Sequence, residues 1–137
     1  MTQVLDGLFV SGLEESFDFD FLNRNGITHI LNVASEIELL GRLNRNYAKY
    51  DIDDDCMTAD IKTILEPSIK FITDASISGG IVLVHCLEGK SRSVCVIIAY
   101  MVKVLGWDFD DAVKHMYRIR RQIDPFPLYL QQVRDWV

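Results

Sequence analysis

The chain has 137 residues, of which 49% are hydrophobic, and a formal net charge of -6. This length suffices for one domain with a full hydrophobic core and is too short for two, so residues 1–137 are predicted to form a single domain. The acidic balance argues against general binding to nucleic acids or anionic membranes, while a local basic pocket remains compatible with it.

The cellular environment is predicted from what the sequence lacks. No apolar run reaches the ~20 residues of a membrane span, and the first residues have no signal-peptide pattern. The three cysteines, Cys56, Cys86 and Cys95, cannot all pair, and their spacing is not that of metal ligands. These features predict a protein without a membrane span in a reducing compartment, the cytoplasm or also the nucleus. The chain is expected to be a monomer.

Short strands and helices are predicted to alternate through the first half of the chain. The turn residues Asp6-Gly7 indicate a hairpin over residues 1–12. The segments that follow are a helix over 16–25 ended by Gly26, a strand over 28–33, a short helix or ordered loop over 35–43, and a strand over 47–52.

The second half is predicted to contain one strand among longer helices. The segments are a helix over 58–78 that Pro67 kinks or splits, a strand over 81–84, a buried helix over 94–105 ended by Gly106, a helix capped by Asp108, and a last helix over 127–136. Such alternation predicts an α/β fold, a sandwich with a largely parallel central sheet and helices on both faces.

One stretch carries the chemistry, His85-Cys86-Leu87-Glu88-Gly89-Lys90-Ser91-Arg92-Ser93. It joins the end of a strand to the start of a helix, where unpaired N–H groups and the helix dipole favour an anion. A cysteine at this place has a stabilised thiolate, so Cys86 is predicted to be a nucleophile at neutral pH. Arg92 can hold two oxygens of a phosphoryl group with its planar fork, and Gly89 permits a backbone conformation that a Cβ would obstruct.

This stretch resembles the signature of the cysteine-dependent protein phosphatases, which is a cysteine, five residues and an arginine. Gly89 lies between the two, and Ser93 follows the arginine. The serine and the small size resemble the dual-specificity branch, specifically its small single-domain atypical members. The resemblance extends over most of the chain, from Leu8-Phe9-Val10-Ser11-Gly12 to the closing segment 120–133. It implies a three-layer fold with four or five strands and a phosphate-binding loop formed by Leu87, Glu88, Gly89, Lys90, Ser91 and Arg92.

A phosphatase of this kind also needs an acid that protonates the departing oxygen. The acidic loop offers Asp51, Asp53, Asp54 and Asp55. In the resembled family the acid lies between a strand and the helix before the core strand, and its spacing to that helix points to Asp55. Asp54 is the alternative, and a solvated acidic loop is the non-catalytic interpretation of the others.

Three further residues have expected roles. Ser93 would donate a hydrogen bond to the leaving thiolate when water cleaves a phosphocysteine, or cap the following helix. His85 is interpreted as a buried hydrogen-bonding residue that orients the loop, since a thiolate needs no general base. Asn32 is a supporting residue by resemblance.

Several positions depart from the family pattern. Glu88 stands where many dual-specificity domains carry a small residue, and a carboxylate there would repel acidic substrates. Lys90 partly offsets this negative charge. A lysine is also found at the place of Lys90 in phosphoinositide-directed members. Arg121, Phe126 and Leu128 replace the usual proline, asparagine and glycine of the closing segment, so the family pattern does not predict the outer wall of the pocket.

The predicted activity is hydrolysis of phosphotyrosine and of phosphoserine or phosphothreonine in proteins, with no cofactor and no metal. Two alternatives remain: the same chemistry on a phosphoinositide, a phosphorylated glucan or an RNA 5′-triphosphate, or a module that binds phosphoproteins without turnover. A haloacid-dehalogenase site at Asp51-Ile52-Asp53 is disfavoured because Asp55 stands where a threonine or valine is usual.

Overall fold

The computed structural model describes residues 1–37, 45–55 and 59–137. Most of the predicted 35–43 segment, Cys56 and the predicted helix start at Thr58 lie outside these residues. The described elements are, in chain order, β1 Thr2–Leu5, β2 Leu8–Ser11, α1 Leu13–Ser16, α2 Phe19–Arg24, β3 His29–Ala34, β4 Asn46–Ile52, α3 Lys62–Ile77, β5 Val82–His85, α4 Arg92–Lys103, α5 Phe109–Ile119 and α6 Pro127–Trp136.

The strands form one five-stranded sheet in the order β1-β2-β5-β3-β4. Only the β1–β2 hairpin is antiparallel, and the other neighbours pair in parallel. The predicted mostly parallel sheet is therefore confirmed. The register places Ser11 and Asn32 on either side of His85 at the carboxyl edge of the sheet, so the segments that follow β2, β5 and β3 meet there.

Helices cover both faces of the sheet, as predicted. The strand residues alternate between the faces: Val82 and Val84 pack into the large core beneath α3 to α6, whereas Leu83 points to the opposite face. There Leu83 joins a smaller cluster with Leu22 of α2. Because both faces are covered, β5 is buried along its whole length, and this agrees with its unbroken apolar sequence.

Two predicted helices are present with changed details. The helix predicted over 16–25 is α2, which ends before Gly26 and begins three residues later than predicted, because the Asp18 side chain accepts a hydrogen bond from the Phe21 N–H at 3.1 Å. Pro67 lies inside α3 and does not split it. Its missing N–H removes one backbone hydrogen bond, and the buried residues on both sides of it, such as Leu65 and Ile72, hold the helix against the core.

The buried helix α4 begins at Arg92, two residues before the predicted start, and Gly106 follows it with a φ of 78°. Ser91 occupies the N-cap position. The interpretation of Ser93 as the helix cap was therefore wrong, since Ser93 lies inside the first turn. Across the three described stretches, none of the helices combines the length and hydrophobicity that crossing a lipid bilayer requires.

Two isoleucines of α3 differ in burial and therefore test which residues of the helix pack into the core. Ile72 is 1% exposed and Ile77 is 80% exposed. Ile72→Ala should lower the free energy of unfolding by about 3 kcal/mol, because it leaves a cavity under the sheet. Ile77→Ala should change it by less than about 0.5 kcal/mol. Urea unfolding measures both, and equal effects would contradict this packing.

Candidate active site

The sequence signature forms a cavity at the carboxyl edge of the sheet. β5 ends at His85, the loop follows, and α4 begins at Arg92. The cavity has a volume of about 160 Å³, and its lining residues are Asp54, Cys86, Leu87, Glu88, Lys90, Ser91, Arg92, Asp124 and Phe126. Cys86 is only 3% exposed, so its thiol lies at the bottom of a narrow opening.

The backbone of the loop is held with its carbonyl groups outward. Three of them accept hydrogen bonds from other parts of the chain: Leu13 N–H to Leu87 O at 2.8 Å, Arg120 Nε–H to Gly89 O at 2.9 Å, and Asp124 N–H to Lys90 O at 2.9 Å. In a planar trans peptide the next N–H points the opposite way. The N–H groups that follow these carbonyls therefore point to the inside of the loop, where an anion can accept their hydrogen bonds.

Gly89 is required at its position, as its sequence context predicted. Its φ is 68°, a conformation that L-residues with a side chain rarely adopt. A Cβ there would lie 2.6 Å from the carbonyl carbon of Ser11 and 2.7 Å from Nη2 of Arg120. The loop therefore packs directly on β2 and on Arg120, and any larger residue would push it away from them.

Arg92 is 2% exposed, and its guanidinium is oriented by two partners. The Glu36 carboxylate accepts hydrogen bonds from Nη1 and Nη2 at 2.6 and 2.8 Å, and the Ile52 carbonyl accepts a second one from Nη1 at 3.0 Å. These three bonds leave the edge formed by Nε–H and the other Nη2–H, which is a bidentate site for two phosphoryl oxygens. Glu36 thus sets which face of Arg92 a phosphate meets.

Asn32 supports the turn that carries Glu36. Its side chain is fully buried, donates to the Ile37 carbonyl at 2.9 Å and accepts from the Ala34 N–H at 2.9 Å. The hydrogen bonds to Arg92 hold the pKa of Glu36 below its usual value. A lowered carboxyl pKa means that this pair stabilises the fold above the ordinary glutamate pKa, and that the stabilisation is lost as the pH falls through the lowered value.

Ser93 and His85 flank the cysteine inside the protein. The hydroxyl of Ser93 lies 3.1 Å from the sulfur of Cys86, within reach of a hydrogen bond to a thiolate. His85 is fully buried, and Nδ1 lies 3.3 Å from the Cys86 carbonyl oxygen. Burial lowers the pKa of His85 to about 4, so its ring is neutral at physiological pH.

The structure separates the two candidate acids. Asp54 lines the cavity, and its Oδ1 is 3.9 Å from Nε of Arg92. Asp55 is the next residue and is absent from the described part of the lining. The Asp55 carbonyl oxygen accepts a hydrogen bond from the Ala59 N–H at 3.2 Å. The buried hydroxyl of Tyr129 bonds to the Asp53 carbonyl at 2.8 Å, so α6 holds this loop beside the cavity.

The closing segment forms the outer wall. The Phe126 N–H donates to the hydroxyl of Ser91 at 3.0 Å, and its ring packs on Tyr129 with centroids 5.1 Å apart. Phe126 therefore forms an aromatic outer wall, which the sequence pattern did not predict. Arg121 and Leu128, the other two departures, are exposed and lie outside the lining.

Three residues with roles in this site were missed by the sequence analysis: Glu36, Arg120 and Tyr129. Glu36 follows a strand at the edge of the sheet where the signature lies, and this position was the available signal. The other two act through hydrogen bonds between distant segments, which no sequence pattern reports. Among the described residues, no group of three or more histidine, cysteine, aspartate or glutamate side chains is arranged to hold a metal ion.

A deep cysteine surrounded by inward N–H groups and an oriented arginine defines the class of cysteine-dependent phosphatases. Comparison with known families agrees: residues 8–137 match the dual specificity phosphatase catalytic domain. The chain belongs to the dual specificity phosphatase family.

Curated relatives support the same family. The chain is 32% identical to dual specificity protein phosphatase 22-A of Danio rerio over 140 residues, which cover 99% of this chain and 64% of that protein. It is 32% identical to dual specificity protein phosphatase 1B of Arabidopsis thaliana over 136 residues, which cover 99% of this chain and 81% of that protein. The chain thus spans less than two thirds of the first of these relatives.

The fold is also similar to a solved structure of the family. The crystal structure of DUSP15 matches with a TM-score of 0.92 at 31% identity, and the match covers 99% of this chain and 86% of that one. The five-stranded sheet with helices on both sides is therefore the dual specificity phosphatase fold.

The contact between Glu36 and Arg92 generates a prediction about phosphate recognition. In Glu36→Gln the amide would bring an N–H against a guanidinium N–H, so Arg92 would lose its orientation and kcat/KM for an aryl phosphate should fall about ten-fold. Inhibition by phosphate or tungstate should weaken in parallel. Glu66→Gln, the same change on the exposed side of α3, is the control and should leave both measurements near wild type.

Proposed function

We propose that this chain is a protein phosphatase that hydrolyses phosphotyrosine and phosphoserine or phosphothreonine through a phosphocysteine intermediate. The observation that carries the proposal is the buried sulfur of Cys86 in one cavity with Arg92, whose Nε–Nη2 edge is left open by its bonds to Glu36. A phosphoryl group in the cavity would meet a nucleophile below it and donors around its oxygens.

In the first step the Cys86 thiolate attacks phosphorus, and an S–P bond forms as the P–O bond to the substrate breaks. The loop N–H groups and Arg92 hold the three non-bridging oxygens throughout. Asp55 is the proposed general acid that gives its proton to the departing oxygen. Asp54 is the alternative acid, because its side chain lines the cavity.

In the second step the ionised acid takes a proton from water, which attacks the phosphocysteine and releases inorganic phosphate. The S–P bond breaks, and the thiolate of Cys86 is restored. The hydroxyl of Ser93, 3.1 Å away, can donate a hydrogen bond to the sulfur as negative charge returns to it. Ser93 would therefore assist the second step more than the first.

Phosphoproteins are proposed as the substrates because the relatives are named protein phosphatases. The phosphoinositide and RNA alternatives would place further negative charge against an acidic chain, and Lys90 is a partly exposed cation beside the cavity. A panel of phosphopeptides, phosphoinositides and triphosphate RNA, assayed with EDTA present, distinguishes these substrates. A chain that binds phosphopeptides and turns over none of the panel would be a binding module.

The nucleophile is tested with Cys86→Ser. Turnover of an aryl phosphate should fall to background while binding of a phosphopeptide persists, because the loop and Arg92 remain in place. Cys95→Ala is the matched control, since Cys95 is also buried but lies within α4. It should retain turnover, and substantial hydrolysis by Cys86→Ser would refute the mechanism.

The acid is tested by leaving-group chemistry. An alkyl oxygen needs a proton in the transition state, whereas an activated aryl oxygen departs with little protonation. Asp55→Asn should therefore lower kcat on phosphoserine peptides about 100-fold and on an activated aryl phosphate far less. Asp54→Asn is the comparison. If it shows the leaving-group dependence instead, the role moves to Asp54.

A further inference from the structure

The mouth of the catalytic cavity is acidic although its floor is cationic. Among the described residues, Asp54, Glu88 and Asp124 line it together with one partly exposed cation, Lys90. The side chains of Asp54 and Glu88 are 47% and 65% exposed, and Asp124 is exposed as well. A substrate therefore crosses a ring of carboxylates before its phosphate reaches Arg92.

The cations of this region are not available to flanking groups of a substrate. Nζ of Lys90 lies 3.4 Å from one carboxylate oxygen of Glu88, and Glu88 is the more exposed partner, at 65% against 44%. Arg92 is buried at the floor and paired with Glu36. Arg120 is 6% exposed, and it donates to the Gly89 carbonyl and to the hydroxyl of Thr2.

A second groove adjoins the cavity. It shares Leu87, Glu88 and Lys90 with the cavity, extends to Glu14 and Glu15 at α1, and has a volume of about 480 Å³. Leu87, which is 40% exposed, lines both. A peptide whose phosphorylated residue enters the cavity can thus place its neighbouring residues over Glu88 and towards exposed Glu14.

We propose that Glu88 and Glu14 make this phosphatase selective for phosphorylated segments that carry lysine or arginine beside the phosphorylated residue. The inference rests on the proposed function and specifies its substrate class. Basic side chains would pair with the two carboxylates along the groove, whereas acidic neighbours would meet like charges. Glu88, which departs from the family pattern, is then the main specificity-determining residue.

The size of the effect follows from the exposure of these carboxylates. Exposed ion pairs are individually weak and are screened by salt, so each matched charge should contribute about three-fold. Two flanking lysines in place of two glutamates should then change kcat/KM by about ten-fold at low ionic strength. The preference should shrink as salt is added, because the groove is open to solvent.

The experiment uses two phosphotyrosine peptides that differ only at two flanking positions, which are lysine in one and glutamate in the other. The measured quantity is the ratio of their kcat/KM values within each protein, so that a general change in activity cancels. The proteins are wild type, Glu88→Lys, Glu14→Lys and the control Glu66→Lys, which adds the same charge on α3. An aryl phosphate is assayed in parallel and reports the proposed function separately.

We expect a ratio of about ten for wild type and Glu66→Lys, and a ratio near one or reversed for Glu88→Lys, with a smaller fall for Glu14→Lys. A wild-type ratio near one, or above one for the glutamate peptide, would overturn the inference even where the aryl phosphate is hydrolysed. So would an equal loss in Glu66→Lys, because the preference would then reflect net charge alone. Absence of all hydrolysis would instead refute the proposed function.

Discussion

The peptide plane imposes the constraint on which the site depends. The N–H groups of the loop can point inward only if the preceding carbonyl groups point outward, and each outward carbonyl then needs a donor. The chain supplies these donors from Leu13 after β2, from Arg120 after α5 and from Asp124 in the closing segment. Three distant segments thus hold one short loop, and the anion site is organised before any substrate binds.

The buried guanidinium of Arg92 is the second constraint on the fold. A guanidinium at 2% exposure is stable only when its charge is compensated and its donors are used. Glu36 and the Ile52 carbonyl meet that need and leave one edge of the fork for phosphate. Asn32 fixes the turn of Glu36, so the carboxyl ends of β3, β4 and β5 all contribute to the orientation of a single side chain.

The mouth and the floor of the cavity carry charges of opposite sign. The net charge of -6 includes carboxylates around the mouth of the cavity, whereas the arginines lie beneath it. A phosphate that enters the cavity meets the guanidinium of Arg92 at its floor. The residues that flank the phosphorylated residue of a substrate meet the negative charge of the rim. A cationic floor under an acidic rim therefore allows one site to recognise both a phosphate and the charge beside it.

The sequence by itself determined the parallel α/β sandwich, because apolar runs such as 81–84 admit few placements other than a covered strand. It also predicted the nucleophile and the phosphate clamp, because Cys86, Gly89 and Arg92 lie within one local loop whose geometry follows from their spacing. Tertiary structure decided the rest: that Glu36 orients Arg92, that Phe126 forms the wall, that Tyr129 holds the acidic loop, and that α3 continues through Pro67. Each of these depends on contacts between segments far apart in the chain, where packing outweighs local preference and no spacing records the partner.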